Sequence, residues 1–524
     1  MSLELEEHRK LVQSILEGRL FPLGGTPPRL IETHISSVIV TDDYVYKLKK
    51  PVDLGFLDFS TLDKRQHYCR EEIRLNQRLS PQLYVDVMAI YGTADAPSFE
   101  PQGPELDYLV RMHPFDQSSQ LDRLLERGDL TTGHMLKLAD YIANFHQSAA
   151  SAPRDSGYGE PDMVMRPVSE NFIQIRQYIH DKQILERLSS LQTWSENEFE
   201  GCRELLQRRC ENGFIRECHG DLHLRNLAWM DDQPLAFDCI EFEPNLYWID
   251  TINDIAFLVM DLLYRQQQQL AWVVLNQYLS ASGDFQGLAL LRFYLVYRSL
   301  VRAKIAAITA AQAGDNAPDR QSAIDDLRWH LDLAESLSKA GQVGIYLMHG
   351  PSASGKSTLA RQLAAPMQAL ILRSDVERKR LYGLQAEADA SDAIGAGIYT
   401  EEATTATYQR LLQLSQTIID AGYSVIVDAT FNQVGQRVLF QRMAQQRQCA
   451  YHIIDIKVSE PELEKRIRQR QYDVSDANID VLRNQLAQWR PLIDSEQTYA
   501  VTLEGDQPWN SEVVLSMIRA AKSG

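Results

Sequence analysis

Hydrophobic residues along this chain follow two periods, and the chain divides where the period changes. Between residues 31 and 60 they come in short runs that read as strands, Ser37-Val38-Ile39-Val40 and Tyr44-Val45-Tyr46-Lys47-Leu48. After residue 130 most apolar positions recur at helical spacing, apart from a polar hairpin near 227–238. This predicts a small β-rich lobe joined to a larger helical lobe. The stretch 321–340 continues as a helix, with Ile324, Leu327, Leu331 and Ala334 on one face and Gly341 as its stop. Beyond it, apolar strands at 345–348, 369–372, 424–427, 451–458 and 499–503 alternate with helical stretches. That alternation predicts a parallel α/β sheet. We place the boundary near 340, giving domains 1–340 and 341–524, the first large enough for two lobes.

Composition is that of a folded globular protein, with 44% hydrophobic and 24% charged residues among 524. It excludes a disordered or collagen-like chain. The greasiest run, Ile249 to Leu263, carries Asp250, Asp254 and Asp261, so no membrane-spanning helix is expected. The start, MSLELEEHRK, lacks the basic and apolar zones of a signal peptide. The six cysteines form no CxxC pair, so neither zinc nor a redox pair is indicated. Scattered thiols fit a cytoplasmic protein.

Net charge is −18 and unevenly placed. From Gln342 onward 19 Lys and Arg face 21 Asp and Glu, which leaves 34 against 50 in the first part. The acidic first part repels polyanions and attracts cations, and only the near-neutral second part suits a nucleotide or nucleic acid. Nucleic acid is not expected as a partner.

The clearest motif is Gly350-Pro-Ser352-Ala-Ser354-Gly355-Lys356-Ser357, which fits GxxxxGK[ST] and sits between a strand and a helix that continues from Thr358. The glycines let backbone N–H groups turn toward phosphate, and the helix N-terminus adds partial positive charge. Lys356 reaches the β- and γ-phosphates, while Ser357 offers a hydroxyl to Mg2+. The strand Ser424–Val427 ends in Asp428, a candidate acid for Mg2+ or its water. The strand 370–372 runs into Arg373-Ser374-Asp375-Val376-Glu377-Arg378, which places Asp375 and Arg378 on one helix face. Asp375 is a candidate proton acceptor and Arg378 a candidate anion contact.

A Walker A loop, an SDxxR segment and VIVDAT together resemble the P-loop kinases related to polynucleotide kinase and zeta-type toxins, over residues 342–524. The resemblance implies that Asp375 is the general base. It also implies lid arginines on the transferring phosphate, matched here by Arg466 and Arg470. That family phosphorylates nucleic-acid ends, nucleotide sugars and small metabolites, so the motif names the reaction and not the acceptor.

The second constellation is His219-Gly220-Asp221-Leu222-His223-Leu224-Arg225-Asn226, an H-x-D-L-x-x-x-N pattern. In this pattern Asp221 takes the hydroxyl proton and Asn226 holds Mg2+. A short hairpin then ends at Asp238, where a second metal ligand belongs, although Cys239-Ile240 replaces Phe-Gly. Oxygen donors of this kind suit a hard cation.

This resembles the aminoglycoside phosphotransferase family, whose loop reads HGD, over residues 25–335. The fold class implied is a two-lobed, protein-kinase-like α+β domain followed by an α/β P-loop NTPase domain. The ATP lysine is then Lys47 or Lys49, which share a strand face; Lys47 sits deeper and is preferred. Its partner carboxylate is Glu72, which falls on the apolar face with Tyr68, Leu75 and Leu79, whereas Glu71 falls on the polar face. The segment around Met112, Arg111 to Phe115, resembles the hinge that meets adenine. No glycine-rich loop precedes Lys47, and Ser36 and Ser37 are the small residues left to approach phosphate. His146 reads as a satisfied helix histidine. Arg298 and Arg302 are open between an anion site and structural ion pairs.

The leading expectation is a bifunctional phosphotransferase using ATP and Mg2+ at two sites on small-molecule hydroxyl acceptors. The alternative is a single P-loop kinase with a non-catalytic, ligand-binding first domain. A nucleic-acid 5′-end kinase and a nucleotide-sugar kinase toxin rank below both.

Overall fold

The computed structural model describes residues 4–21, 26–55, 57–313, 318–384, 400–469, 479–506 and 509–521. The chain packs into two compact units, residues 1–170 with 203–261, and residues 171–202 with 262–524. Helices that precede residue 340 therefore group with the P-loop sheet, and the units do not coincide with the expected division at 340.

The first unit opens with helix α1 (Leu5–Leu16), for which the sequence pattern had suggested no element, although Leu11, Val12 and Ile15 mark an apolar stripe. Strands β1 (Arg29–Glu32), β2 (Ser36–Val40), β3 (Val45–Lys49), β4 (Tyr84–Thr93), β5 (Ala96–Ser98) and β6 (Glu105–Met112) form one antiparallel sheet, with helix α2 (Leu62–Asn76) between β3 and β4. Its order is β1-β2-β3-β6-β4-β5. Strand alternation sends Tyr46 and Leu48 to one face, where they pack with Leu11, Val12 and Ile15 of α1. Val45 goes to the opposite face, with Cys69 of α2. Lys47 and Lys49 share that face, so both reach toward α2.

After α3 (Leu121–Glu126), α4 (Thr132–Ser148), α5 (Pro161–Tyr178) and α6 (Lys182–Glu211) come the short strands β7 (Ile215–Glu217), β8 (Leu227–Met230) and β9 (Gln233–Ala236). The predicted polar hairpin is β8–β9, turned at Asp231 and Asp232, both with positive φ. Helix α7 (Pro244–Tyr247) and strand β10 (Trp248–Asp250), which pairs with β7, lead into α8 (Thr251–Tyr264). The greasy run is thus a buried helix with its acids facing inward: Asp254 is fully buried and Asp261 nearly so.

In the second unit α9 (Gln268–Ser282), α10 (Leu288–Gln312) and α11 (Pro318–Leu337) precede the sheet. Tyr264 stacks on His330 at 4.1 Å, and Ser299 donates to the His330 carbonyl, which joins α10 to α11. The last of these helices stops at Leu337, short of the expected Gly341 stop.

Then follow β11 (Gly344–His349), α12 (Lys356–Ala364), β12 (Ala369–Arg373), α13 (Ser374–Leu381), α14 (Glu401–Asp420), β13 (Ser424–Asp428), α15 (Val434–Arg447), β14 (Ala450–Lys457), α16 (Glu460–Gln469), α17 (Ile479–Ala487), β15 (Ala500–Glu504) and α18 (Ser511–Ala520). All five strands are parallel, in the order β12-β13-β11-β14-β15, as the alternation predicts. One sheet face is sealed by Leu359 and Leu363 of α12 and by Val514 and Ile518 of α18. Among the described residues no helix is long and apolar enough to cross a membrane.

A buried histidine links α1 to the first sheet. His8 lies 3.0 Å from the Ser37 hydroxyl, and burial pushes its pKa down to about 4. Between that value and the ordinary 6.5, the unfolded chain binds the proton that the folded chain refuses. Stability is expected to fall as pH drops from about 6.5 to 4, by a contribution on the order of 3 kcal/mol. Thermal unfolding of wild type and His8→Gln between about pH 7 and 4.5 checks this: the wild type loses more of its Tm across that range.

Candidate functional site

The HGD loop between β7 and β8 is fixed by one buried carboxylate. Asp254, at the first turn of α8, accepts from the backbone N–H of His219 at 3.0 Å and of Gly220 at 2.9 Å. His146 Nε2 lies 3.0 Å from the same carboxylate. Gly220 has φ +84°, and a Cβ there would stand 2.7 Å from the Leu246 carbonyl, so the loop needs glycine at this point. His219 donates Nε2–H to the Phe237 carbonyl at 2.9 Å and accepts from Asp221 N–H at Nδ1. Burial lowers its pKa, which suits this neutral tautomer. Further along α8, Asp261 accepts from Leu224 N–H at 3.0 Å. Two inward acids on one helix thus hold both ends of the loop.

His146, Cys218 and Asp254 have ligand-type atoms within 4.8 Å of one another. Each has a protein partner: Asp254 the two amides and the imidazole, Cys218 the Ile249 carbonyl. The cluster is the loop's anchor, and His146 serves in it as a satisfied helix histidine.

The loop presents Asp221 at the surface, one third exposed. Asn226 donates Nδ2–H to its carboxylate at 2.9 Å, and His223 Nε2 lies 3.3 Å away. Phe237 N–H binds the Asn226 carbonyl, so the next residue, Asp238, emerges beside the loop. Asp238 has φ +63°, rare for a non-glycine residue, and its N–H is held by the Tyr84 hydroxyl at 3.0 Å.

Lys47 and Lys49 both meet Glu72, each at its own carboxylate oxygen, at 2.8 and 2.6 Å. Lys47 also reaches Asp238 at 2.6 Å, whereas Lys49 pairs with Glu241 and lies over the Phe59 ring. The two lysines differ in burial: Lys49 is 1% exposed and Lys47 14%. Burial pushes the Glu72 carboxyl up, but the two ammonium groups outweigh it and hold its pKa below the ordinary carboxylate value. Burial opposes the charge on Lys47 as well, yet Asp238 and Glu72 hold its pKa well above the ordinary value. Two cations face three carboxylates here. The most exposed of the three is Asp238, at 47%, so the unbalanced negative charge lies where a cation has access.

The β1–β2 turn lies ahead of Lys47 in the chain. Its amides at Ile35 and Ser36 are both taken by the Thr33 hydroxyl, at 3.3 and 2.9 Å. Ser36 and Ser37 are fully buried in β2, and Ser37 donates to Glu32. The turn itself is made by Thr33, His34 and Ile35, ahead of the two serines. Met112 ends β6, buried, opposite Val45 and Tyr84. Arg298 lies buried within α10, its guanidinium 5.3 Å from the Tyr297 ring, and Arg302 is half-buried.

The P-loop residues gather at the carboxyl ends of β11, β13 and β12. Sheet register aligns Asp428 with Met348 on one side and with Arg373 on the other. The phosphate loop leaves β11 just past Met348, and Asp375 closely follows Arg373. Loop, acid and SDxxR segment therefore share one sheet edge, the usual ligand edge of open parallel sheets. Gly350, Ala353 and Gly355 take positive φ, which turns the loop. A Cβ on Gly355 would stand 2.5 Å from the Trp509 ring, so the indole leaves room only for glycine.

Lys356 folds back to the Pro351 carbonyl at 2.6 Å and lies 3.5 Å from the Ser354 hydroxyl. Ser352 N–H is held by Gln485 of α17 at 3.0 Å. Ser357 and Thr358 follow in the first turn of α12, half-buried and exposed. Asp428 is 3.7 Å from the Arg373 guanidinium. Asp375 is half-buried, and Arg378 is buried with its guanidinium 3.3 Å from the Thr404 hydroxyl. Arg466 donates to the Gly505 carbonyl at 2.6 Å and to the Ser354 carbonyl of the loop at 3.4 Å. Arg470 lies outside the described residues.

Sequence pattern alone did not single out Asp254, Asp261, Tyr84 or Glu241 as site residues. The two aspartates had a signal, charges inside an apolar run, which demand buried partners. Tyr84 and Glu241 had none, because only the tertiary structure sets them beside Asp238 and Lys49.

A model of the AAA domain family AAA_33 matches residues 345–492. The uncharacterized protein Rv2004c of Mycobacterium tuberculosis is 30% identical over 417 residues, 79% of this chain and 80% of that one. Among solved structures, amicoumacin kinase bound to AMP-PNP, Ca2+ and amicoumacin is 16% identical, with TM-score 0.40, and covers 63% of this chain and 94% of its own. A sugar kinase from Janibacter is 19% identical, with TM-score 0.27, and covers 34% of this chain and 92% of its own. The chain belongs to the family of the Mycobacterium tuberculosis protein, and its residues 345–492 match the AAA domain model.

Proposed function

We propose that this chain is a bifunctional phosphotransferase of two enzymatic modules, 1–340 and 341–524. Each moves the γ-phosphoryl group of ATP to a hydroxyl of a small molecule, with Mg2+. The observation that carries the reading is the meeting of Asp221, Asn226, Asp238, Lys47 and Glu72 around one anchored loop. Asp221 is the base, half-fixed by Asn226 and open to an acceptor. Asn226 and Asp238 are the oxygen donors for Mg2+, and the uncompensated carboxylate charge beside Lys47 fits a hard cation. Lys47, with its access to solvent, is the ATP lysine, and Lys49 is a structural ion-pair partner. Met112 and the residues after it are the adenine hinge.

In the second module Gly350 to Thr358 cradle the phosphates, Ser357 and Asp428 hold Mg2+, and Asp375 is the base. Lys356 swings from the Pro351 carbonyl to phosphate, where it stabilises transferring charge. Arg378, Arg466 and Arg470 are the candidate anion contacts. The acidic balance and the scattered thiols favour a cytoplasmic enzyme acting on metabolites rather than on nucleic acid.

A second reading rests on the β1–β2 turn. Its amides are consumed by Thr33, so it offers fewer donors to phosphate than a glycine-rich loop. On that reading the first module binds a ligand without turnover and only the P-loop module is a kinase.

The two readings separate in a phosphoryl-transfer assay on a metabolite extract with labelled ATP and Mg2+. Under the leading reading Asp221→Ala and Lys356→Ala each remove a different labelled product, by about 10²-fold or more. If Asp221→Ala changes nothing, the first module is a binding module. The two lysines separate in the same way. Lys47→Met lowers the Asp221-dependent product with little change in Tm. Lys49→Met leaves Glu241 buried without its cation and destabilises the fold by about 3–5 kcal/mol, read as a lowered Tm.

A further inference from the structure

We infer that helix α9 is a positioning element of the P-loop kinase site, and that Asn276 and Arg380 hold the acceptor-side helix α13 at both ends. The inference rests on the reading of Asp375 as the base of that site.

Strand β12 is the outer strand of the parallel sheet, so one row of its backbone groups has no strand partner among the described residues. An exposed N–H or C=O on such an edge needs another bond. Asn276 supplies it: its Oδ1 accepts from Ile371 N–H at 2.7 Å, and its Nδ2 donates to the Ala369 carbonyl at 3.3 Å. A carbonyl at i and an amide at i+2 are the pair that one residue of a neighbouring strand would take. The side chain of one helical asparagine thus stands in for a sixth strand. Its own Nδ2 also binds the Trp272 carbonyl at 2.9 Å, which fixes the amide's orientation.

Shortly after Ile371 the strand ends and the SDxxR helix begins. Its last turn carries Arg380, which donates to the Ser280 carbonyl near the C-terminus of α9. That end of a helix favours a cation. Gly283 caps α9 with φ +73°, and a Cβ there would stand 3.0 Å from Arg380 Nε, so the guanidinium rests on bare backbone. Arg380 also pairs with Glu377 of its own helix. Asn276 and Ser280 are one turn apart on α9, so one helix face grips α13 before its first residue and at its last turn. Asp375 and Arg378 lie between the two grips.

The next helix adds a third hold. Arg292 of α10 donates to the Gly422 carbonyl at 3.4 Å and lies 5.9 Å from the Tyr423 ring, at the start of the strand that ends in Asp428. Trp272 meets the same ring edge-on at 6.3 Å. The P-loop site therefore takes part of its frame from helices that precede residue 340. Small displacements of a base cost large factors in rate, so these contacts bear on catalysis without touching substrate.

The test uses full-length Asn276→Leu, Arg380→Ala and Arg380→Lys. Three quantities are measured: the Lys356-dependent labelled product from the extract, the Lys356-dependent part of MgATP binding, and hydrogen exchange of residues 369–381. The expected result is a tenfold or greater loss of product in Asn276→Leu and Arg380→Ala. MgATP affinity stays within twofold, exchange over 369–381 rises, and Arg380→Lys recovers part of the product. The Tm and the Asp221-dependent product report whether each variant folds. Product within twofold of wild type overturns the proposal, as does a parallel loss of product and MgATP binding. Absence of any Lys356-dependent product in the wild type would overturn the kinase reading itself, and this proposal with it.

Discussion

A carboxylate removed from water must find donors, and those of Asp254 include the amides of His219 and Gly220 and the imidazole of His146. The arrangement of the HGD loop depends on that exchange. With the amides fixed, His219 turns its ring to the Phe237 carbonyl, Asp221 points outward, and Asn226 comes back to meet it. Asp261 repeats the device one loop-length away. The buried acids on the apolar helix are fixed, while Asp221 and Asp238 stay partly exposed beside the loop.

The ion cluster follows the same logic with the sign reversed. Two lysines on one strand face must both be compensated, and Glu72 is shared between them. The inner one, Lys49, needs a second carboxylate and takes Glu241. The outer one, Lys47, takes Asp238, which keeps nearly half of its surface free. Burial alone thus assigns different duties to two residues of identical chemistry, because a desolvated pair is a fixture and a half-solvated one can exchange partners. In the P-loop region Lys356 and the Ser352 amide are likewise held by the chain itself, through the Pro351 carbonyl and the Gln485 side chain.

Much of this was legible in the chain. The alternation of strands and helices after residue 344 specified a parallel sheet, since period and order survive any packing. The Gly350–Ser357 loop and the 219–226 loop were readable because their chemistry is local in sequence. Glu72 was separable from Glu71 because helical period assigns a face. Lys47 and Lys49 were not separable, because strand period assigns them the same face. Helix α1 was missed although its stripe was present, and α11 ends earlier than Gly341 suggested, since helix ends answer to packing as much as to stop residues.

The sequence by itself determined the two motif loops, because phosphate loops and acid–asparagine loops have short, fixed spacings. It also determined the lobes and the sheet, because hydrophobic period is a property of consecutive residues. The tertiary structure decided which acids are anchors and which are open, since that depends on burial. It also decided that Tyr84 holds Asp238, that Asn276 completes the edge of β12, and that Thr33 consumes the amides of its own turn. The first two join residues 154 and 95 positions apart, and no period in the chain encodes such a pairing. The third is local, but it turns on a hydroxyl rotamer that only the folded hairpin selects.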